Sequence, residues 1–238
     1  MLMETPFRYE REMYPALGTA LHNTVFPRGP KAMELIEPSI CGVIPDVLYC
    51  RWRYSPGTTV KRPVTIIDAH ILSALEQTGA CSLSDLCERL FLLEPKASES
   101  VNRLLRQGLI ASRRSGMYAI VKKASARRVT LVAVELKLFR WREALDQARS
   151  YLRFADQSFV VLDGNQVEAS EKVESAFASA GVGLLMQHGI VLEMRVRAKS
   201  NLLNPTPERF IAMNKAILAV HYSPEYPRHL LNALSQTC

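Results

Sequence analysis

Nine consecutive residues, Val129-Thr130-Leu131-Val132-Ala133-Val134-Glu135-Leu136-Lys137, constrain the fold of this chain more than any other stretch. A β-branched apolar run of this kind reads as a strand buried on both faces, which calls for a sheet with helices over each side. Two charged residues close it. Side chains alternate along a strand, so Glu135 and Lys137 share one side and Leu136 faces the opposite layer. A carboxylate and an ammonium stand where burial makes charge costly, unless the run simply emerges into water at that end. The spacing is not unique, because Glu94-Pro95-Lys96 repeats it in what reads as a loop.

The flanking sequence gives the pair its context. Upstream, Ile40 to Cys50 is a second apolar run, broken by Gly42 and by Pro45-Asp46. Downstream, Trp141 to Leu152 has helical spacing and puts Gln147 and Tyr151 one turn apart on one face. Asp46, Glu135-x-Lys137 and Gln147-x-x-x-Tyr151, in that order, resemble the PD-(D/E)xK nuclease superfamily, particularly its RecB-like branch, over roughly residues 7 to 196. The resemblance implies an α/β fold with a restriction-endonuclease-like core, a mixed central sheet flanked by helices, and a metal-dependent DNA nuclease using Mg²⁺, with Mn²⁺ as a substitute. On that implication Asp46, Glu135 and the backbone carbonyl of Leu136 hold the metal. Lys137 activates the attacking water or stabilises charge, and Gln147 positions the DNA backbone or the lysine. Tyr151 is expected to pack with a polar tip. The chemistry is consistent, since Mg²⁺ is commonly held by one or two carboxylates plus waters and substrate oxygens. A lysine beside the developing negative charge also acts where its charge matters most.

The first helix, about Phe7 to Thr24, carries Glu10-Arg11-Glu12-Met13, which resembles the first helix of resolvase-like members. The resemblance implies that Glu12 reaches the metal site; Glu10 competes for the role, and an exposed helix acid is the alternative. Residues 31 to 37 read as the first strand, after a Pro-rich turn at 27 to 30, and the strand following Pro45-Asp46 extends to about Tyr54.

The interval from Asp46 to Glu135 is far longer than a hairpin needs. Ile66 to Leu75 and Ser82 to Leu90 read as helices, with Ser82 or Ser84 as a cap, and Ala97 to Gln107 as a third. Ile110 to Val121 reads as a hairpin turning at Ser115-Gly116. Three helices and a two-stranded ribbon resemble a winged helix-turn-helix inserted between two strands of the core. In that likeness Lys96, Ser100, Asn102 and Arg103 approach the bases, with Arg106 also outward, and Arg113 and Arg114 in the wing touch phosphate. Glu99 on the same helix counts against base reading, and protein docking is the competing use.

After the Gln147 helix come a strand at Gln157 to Leu162, a helix at Val167 to Ser179 and a hairpin across His188-Gly189. The expected divisions are residues 1–62 with 124–198 for the core, 63–123 for the inserted module and 199–238 for a helical extension. That extension carries helices from Pro207 to His221 and near His229 to Ser235, suited to bracing the module or to a homodimer contact. Arg140 and Arg142, next to the Glu-x-Lys strand, are candidates to line a DNA groove. The formal net charge of +7 favours an acidic partner such as DNA. Five cysteines, without a CxxC pair or a signal peptide, fit reduced thiols in a cytoplasmic protein. No apolar run approaches membrane-spanning length. Two other readings stay open: a DNA-binding regulator keeping a degenerate nuclease fold as scaffold, and a protein-interaction subunit of a nucleic-acid-processing or antiviral assembly.

Overall fold

The computed structural model describes residues 6–26, 32–52, 62–201 and 205–222. The turn at 27–30, the strand end at Tyr54, Cys238 and the helix near His229 lie outside them. The chain divides into two compact units, residues 1–51 with 131–202 and residues 52–130 with 203–238.

The first unit begins with helix α1 (Glu10–Val25) and strands β1 (Met33–Ile36) and β2 (Val47–Trp52). It continues with β5 (Val129–Lys137), α5 (Trp141–Tyr151), β6 (Gln157–Asp163), α6 (Glu171–Ala180), β7 (Gly183–His188) and β8 (Val191–Val196). The six strands form one sheet in the order β1-β2-β5-β6-β7-β8. β5, β6 and β7 run parallel, while β1 with β2 and β7 with β8 are antiparallel. β5 lies inside the sheet with every residue except Thr130 buried, as a run apolar on both faces requires. Its alternation sets the layers. Val132, Val134 and Leu136 pack with Met13, Leu21 and Phe26 of the α1 segment, Tyr49 of β2 and Phe159 and Val161 of β6. Each such side chain contributes roughly 1.5–3 kcal/mol on full burial. Leu131, Ala133, Glu135 and Lys137 take the other face.

The start of α1 is fastened to the strand ends. Asp163, at the end of β6, accepts from the Phe7 N–H at 3.0 Å, and Gln187 of β7 donates to the Met13 carbonyl at 3.2 Å. These bonds fix where the acids of α1 begin.

The second unit contains α2 (Ile66–Thr78), α3 (Leu83–Leu90), α4 (Glu94–Arg106) and the ribbon β3 (Ile110–Ser112) with β4 (Tyr118–Ile120). This is a winged helix-turn-helix. Thr65 and Ser82 cap α2 and α3 by accepting from the N–H groups of Asp68 and Asp85, whose carboxylates accept from the cap N–H groups in return. The ribbon turns through Ser115 and Gly116, both left-handed at φ 61° and 68°. α4 begins at Glu94, three residues before the Ala97 expected from sequence, because Pro95 is tolerated in a helix's first turn. Glu94-Pro95-Lys96 is therefore helix and not loop. The last helix, α7 (Pro207–Tyr222), buries Phe210, Met213 and Ile217 within this unit. Asn214 accepts from the Val64 N–H at 2.9 Å, and Ser73 of α2 donates to the Pro205 carbonyl at 2.6 Å.

Candidate functional site

Three segments of the first unit bring four charged residues together, Glu135 and Lys137 buried and Asp46 and Glu10 half-buried. Asp46 follows Pro45 in the turn that enters β2. Its Oδ2 accepts from the backbone N–H of Leu136 at 2.6 Å, which ties that turn to the charged end of β5. Glu135, 2% exposed, has its Oε1 3.1 Å from Lys137 Nζ. Glu10, from the first turn of α1, lies 3.3 Å from the same ammonium through Oε2. The hydroxyl of Tyr151 on α5 donates to Glu135 Oε2 at 2.6 Å and lies 3.2 Å from the Ile44 carbonyl.

The arrangement carries an excess of negative charge, with three carboxylates around one ammonium. Burial, and then the charge of Asp46, push the Glu135 carboxyl up to about 7. Burial also raises Asp46, against the Leu136 N–H bond and the charge of Lys137, and the carboxylates of Glu10 and Glu37 raise it further. Lys137 moves the other way. Burial would lower it, but Glu135, Glu10 and Asp46 together hold it above the ordinary lysine value and keep it charged. Tyr151 is raised by burial and by Glu135, so it stays a hydroxyl donor. One turn before it on α5, Gln147 has a buried Oε1 with no hydrogen-bond partner among the described residues. A buried acceptor without a donor is costly.

Several sequence-derived assignments need changing. Glu12 is exposed, and its carboxylate accepts from the Arg8 and Tyr9 N–H groups at 2.9 and 3.2 Å, closing the start of α1. Glu10 takes the place in the cluster expected of Glu12. Tyr151 is more than a packed ring, since it supplies a hydrogen bond to Glu135. Leu136, whose carbonyl the resemblance gives to the metal, also contributes its N–H to Asp46 and its side chain to the core.

In the second unit, Ser100 is buried instead of facing outward, and its hydroxyl donates to Asp68. Arg103 clamps the same carboxylate, Nε at 2.9 Å from Oδ2 and Nη2 at 2.8 Å from Oδ1, and pairs with Glu99 at 3.2 Å. These two residues lock α4 onto α2 and are engaged inside the protein. Lys96, Asn102, Arg106, Arg113 and Arg114 are exposed. In the first unit Arg140 and Arg142 are exposed too; Arg140 pairs with Glu143 at 2.9 Å and Arg142 lies over the Trp141 ring at 4.5 Å.

Among the described residues no group of three or more His, Cys, Asp or Glu side chains is gathered in a way that holds a metal ion. The cluster offers a pair, Asp46 and Glu135, with Glu10 turned to the ammonium. A pair suits Mg²⁺, which keeps several waters of its own. Burial is the largest cause of the upward push on both carboxyls, and the Gln147 oxygen is an acceptor with no donor among the described residues.

A model of the MarR family matches residues 63–117, within the winged helix-turn-helix, a fold suited to DNA binding. Among solved structures, a protein of unknown function from Silicibacter pomeroyi aligns at 20% identity and TM-score 0.25, over 40% of this chain and 65% of that one. No curated protein matches the chain.

Proposed function

We propose that the protein binds DNA through its MarR-type winged helix and hydrolyses phosphodiester bonds at the Asp46–Glu135–Lys137 cluster. The observation that carries this reading is the carboxylate pair, Glu135 buried and Asp46 half-buried, beside a charged lysine. Strongly perturbed groups of this sort gather at functional sites. Asp46 and Glu135 would hold Mg²⁺, which when bound would neutralise phosphate charge and acidify a water. Lys137, fixed by Glu135 and Glu10, presents its ammonium where negative charge develops on the phosphate. Tyr151 orients the Glu135 carboxylate, and the free oxygen of Gln147 accepts a proton-bearing group and so fixes its orientation. The winged helix engages DNA through Lys96, Asn102 and Arg106 on α4 and Arg113 and Arg114 in the wing, largely at phosphates.

The test is incubation of the full chain with linear and circular DNA in Mg²⁺ or Mn²⁺, beside Asp46→Asn and Lys137→Met proteins shown to be folded. Cutting by the wild type and not by the variants supports the reading; cutting of the circle identifies an endonuclease. The MarR match favours a second reading, a DNA-binding regulator in which the first unit is scaffold. Tight, salt-sensitive DNA binding with no cutting under either metal, and unchanged binding in both variants, would establish that alternative.

A further inference from the structure

Two helices of the winged-helix unit start on good caps, and α4 does not. Thr65 and Ser82 close reciprocal capping boxes on α2 and α3, whereas the cap position of α4 is Leu93, whose side chain cannot accept a hydrogen bond. Two residues earlier α3 ends on Phe91, held left-handed at φ 53°, the conformation that favours glycine at a helix C-terminus. Both choices cost local stability. Packing does not offset that cost, because Phe91 is 95% and Leu93 71% exposed, while Leu92 between them is half-buried. Phe91 is the most exposed large apolar side chain among the described residues. The pair stands on one short turn from α3 into α4, set by the Leu92 N–H donating to the Cys87 carbonyl at 3.0 Å and the Leu93 carbonyl accepting from the Ala97 N–H at 3.1 Å.

In a helix-turn-helix the N-terminal residues of the second helix meet base edges in the major groove, and here α4 is that helix. Its N-terminal end is poorly suited to holding phosphate. Glu88, Glu94 and Glu99 are exposed there beside Arg89 and Lys96, with Glu99 met by Arg103 at 3.2 Å. The cations Arg106, Arg113 and Arg114 lie further along α4 and in the wing, and phosphate contacts position a duplex without reading its sequence. What the turn offers is apolar surface. The apolar group that the major groove presents is the thymine C5-methyl, which side chains such as Phe contact. An apolar pair of this kind also suits a protein partner, but the MarR match over residues 63–117 favours DNA as the occupant.

Resting on the DNA-binding part of the proposed function, we infer that Phe91 and Leu93 read thymine methyl groups in the major groove, so that the winged helix selects duplex sites carrying thymine where α4 enters. Each methyl buried in such a contact raises affinity about four-fold.

The test measures binding of the full chain, without divalent metal and at one fixed salt concentration, to two labelled duplexes. One alternates adenine and thymine; the other carries uracil in place of every thymine and so differs only in the C5-methyl. The wild type is expected to bind the thymine duplex about four-fold more tightly, or better. A protein carrying Phe91→Gly and Leu93→Ser together supplies the glycine and the cap that the turn lacks. It is expected to melt at a higher temperature than the wild type, to bind the uracil duplex as the wild type does, and to show no preference for thymine. Equal affinity of the wild type for the two duplexes would overturn the inference, assign the pair to a protein partner and leave the DNA-binding reading standing. A thymine preference that survives in the variant would overturn it as well, and so would a variant that melts lower than the wild type, since the pair would then serve folding. Binding to neither duplex would sink the DNA-binding reading, and the inference with it.

Discussion

Each unit of this protein holds an ionic cluster around a buried carboxylate, and the two differ in how far that carboxylate is satisfied. In the winged-helix unit Asp68 is fully buried, but it accepts from Arg103 through two nitrogens, from Ser100 and from the Thr65 N–H. Burial alone would raise its pKa; these bonds outweigh burial and hold it below the ordinary aspartate range. In the α/β unit Asp46 accepts from one backbone N–H, Glu135 shares Lys137 with Glu10, and both Asp46 and Glu135 are pushed up. A satisfied cluster acts as a fastening. One short of positive charge has capacity left for a ligand, and that contrast separates the structural acid from the proposed functional pair.

The largest expected effect is on the fastening. Arg103→Ala leaves Asp68 buried without its cation and should cost about 3–5 kcal/mol in urea unfolding. Arg103→Lys should recover only part of this, because a lysine cannot reproduce the two-pronged contact. A loss below about 1 kcal/mol would place Arg103 among the DNA-facing residues after all. Lys137→Met should cost less, roughly 1–3 kcal/mol at pH 8 and little at pH 5.5, because Glu135 can take up a proton when its partner goes.

The pH dependences of the two clusters should have opposite signs. Glu135 stands near 7 in the fold against an ordinary 4.5. Between those values the folded chain holds a proton that the unfolded chain has lost, so this contribution to stability falls as pH rises through the window. The depressed Asp68 acts in reverse, with its contribution present above the ordinary aspartate value and lost as pH falls through its folded pKa. Thermal melts of the metal-free protein from pH 5 to 8 should show a downward slope that Glu135→Gln flattens, and acid unfolding that Arg103→Ala moves to higher pH. Tyr151→Phe should have a smaller effect, about 1 kcal/mol from one hydrogen bond, with the Glu135 titration displaced upward. The smallest effect on stability, within about 0.5 kcal/mol, belongs to Arg113→Ala and Arg114→Ala. Each should still lower the salt dependence of DNA binding by about one ion, as a phosphate contact does.

The comparison also explains what could be read from the sequence. β5 was legible because nine residues of one composition can satisfy few structures, and the winged helix because its helical periods, caps and Ser-Gly turn agree with one another. Asp46, Glu135 and Lys137 could be picked out as a candidate set by order and strand context. The choice between Glu10 and Glu12 could not, since acids two residues apart at a helix start are separated by which one the cap consumes. That depended on the Arg8 and Tyr9 N–H groups finding Glu12. Ser100 and Arg103 looked outward because a polar stripe on a helix normally meets water. What turned them inward was Asp68, a buried acid on another helix, and tertiary partners of that kind leave no local signal. Tyr151 was underestimated for the same reason, its hydroxyl being defined by a carboxylate on β5.

Whether the Asp46–Glu135 pair is a cation site is decided by titrating Mn²⁺ into the full chain at pH 7.5 in a calorimeter. One ion per chain is expected, bound with release of a fraction of a proton as Glu135 ionises and lost in Asp46→Asn. Heats absent in the wild type, or identical in wild type and Asp46→Asn, would contradict it.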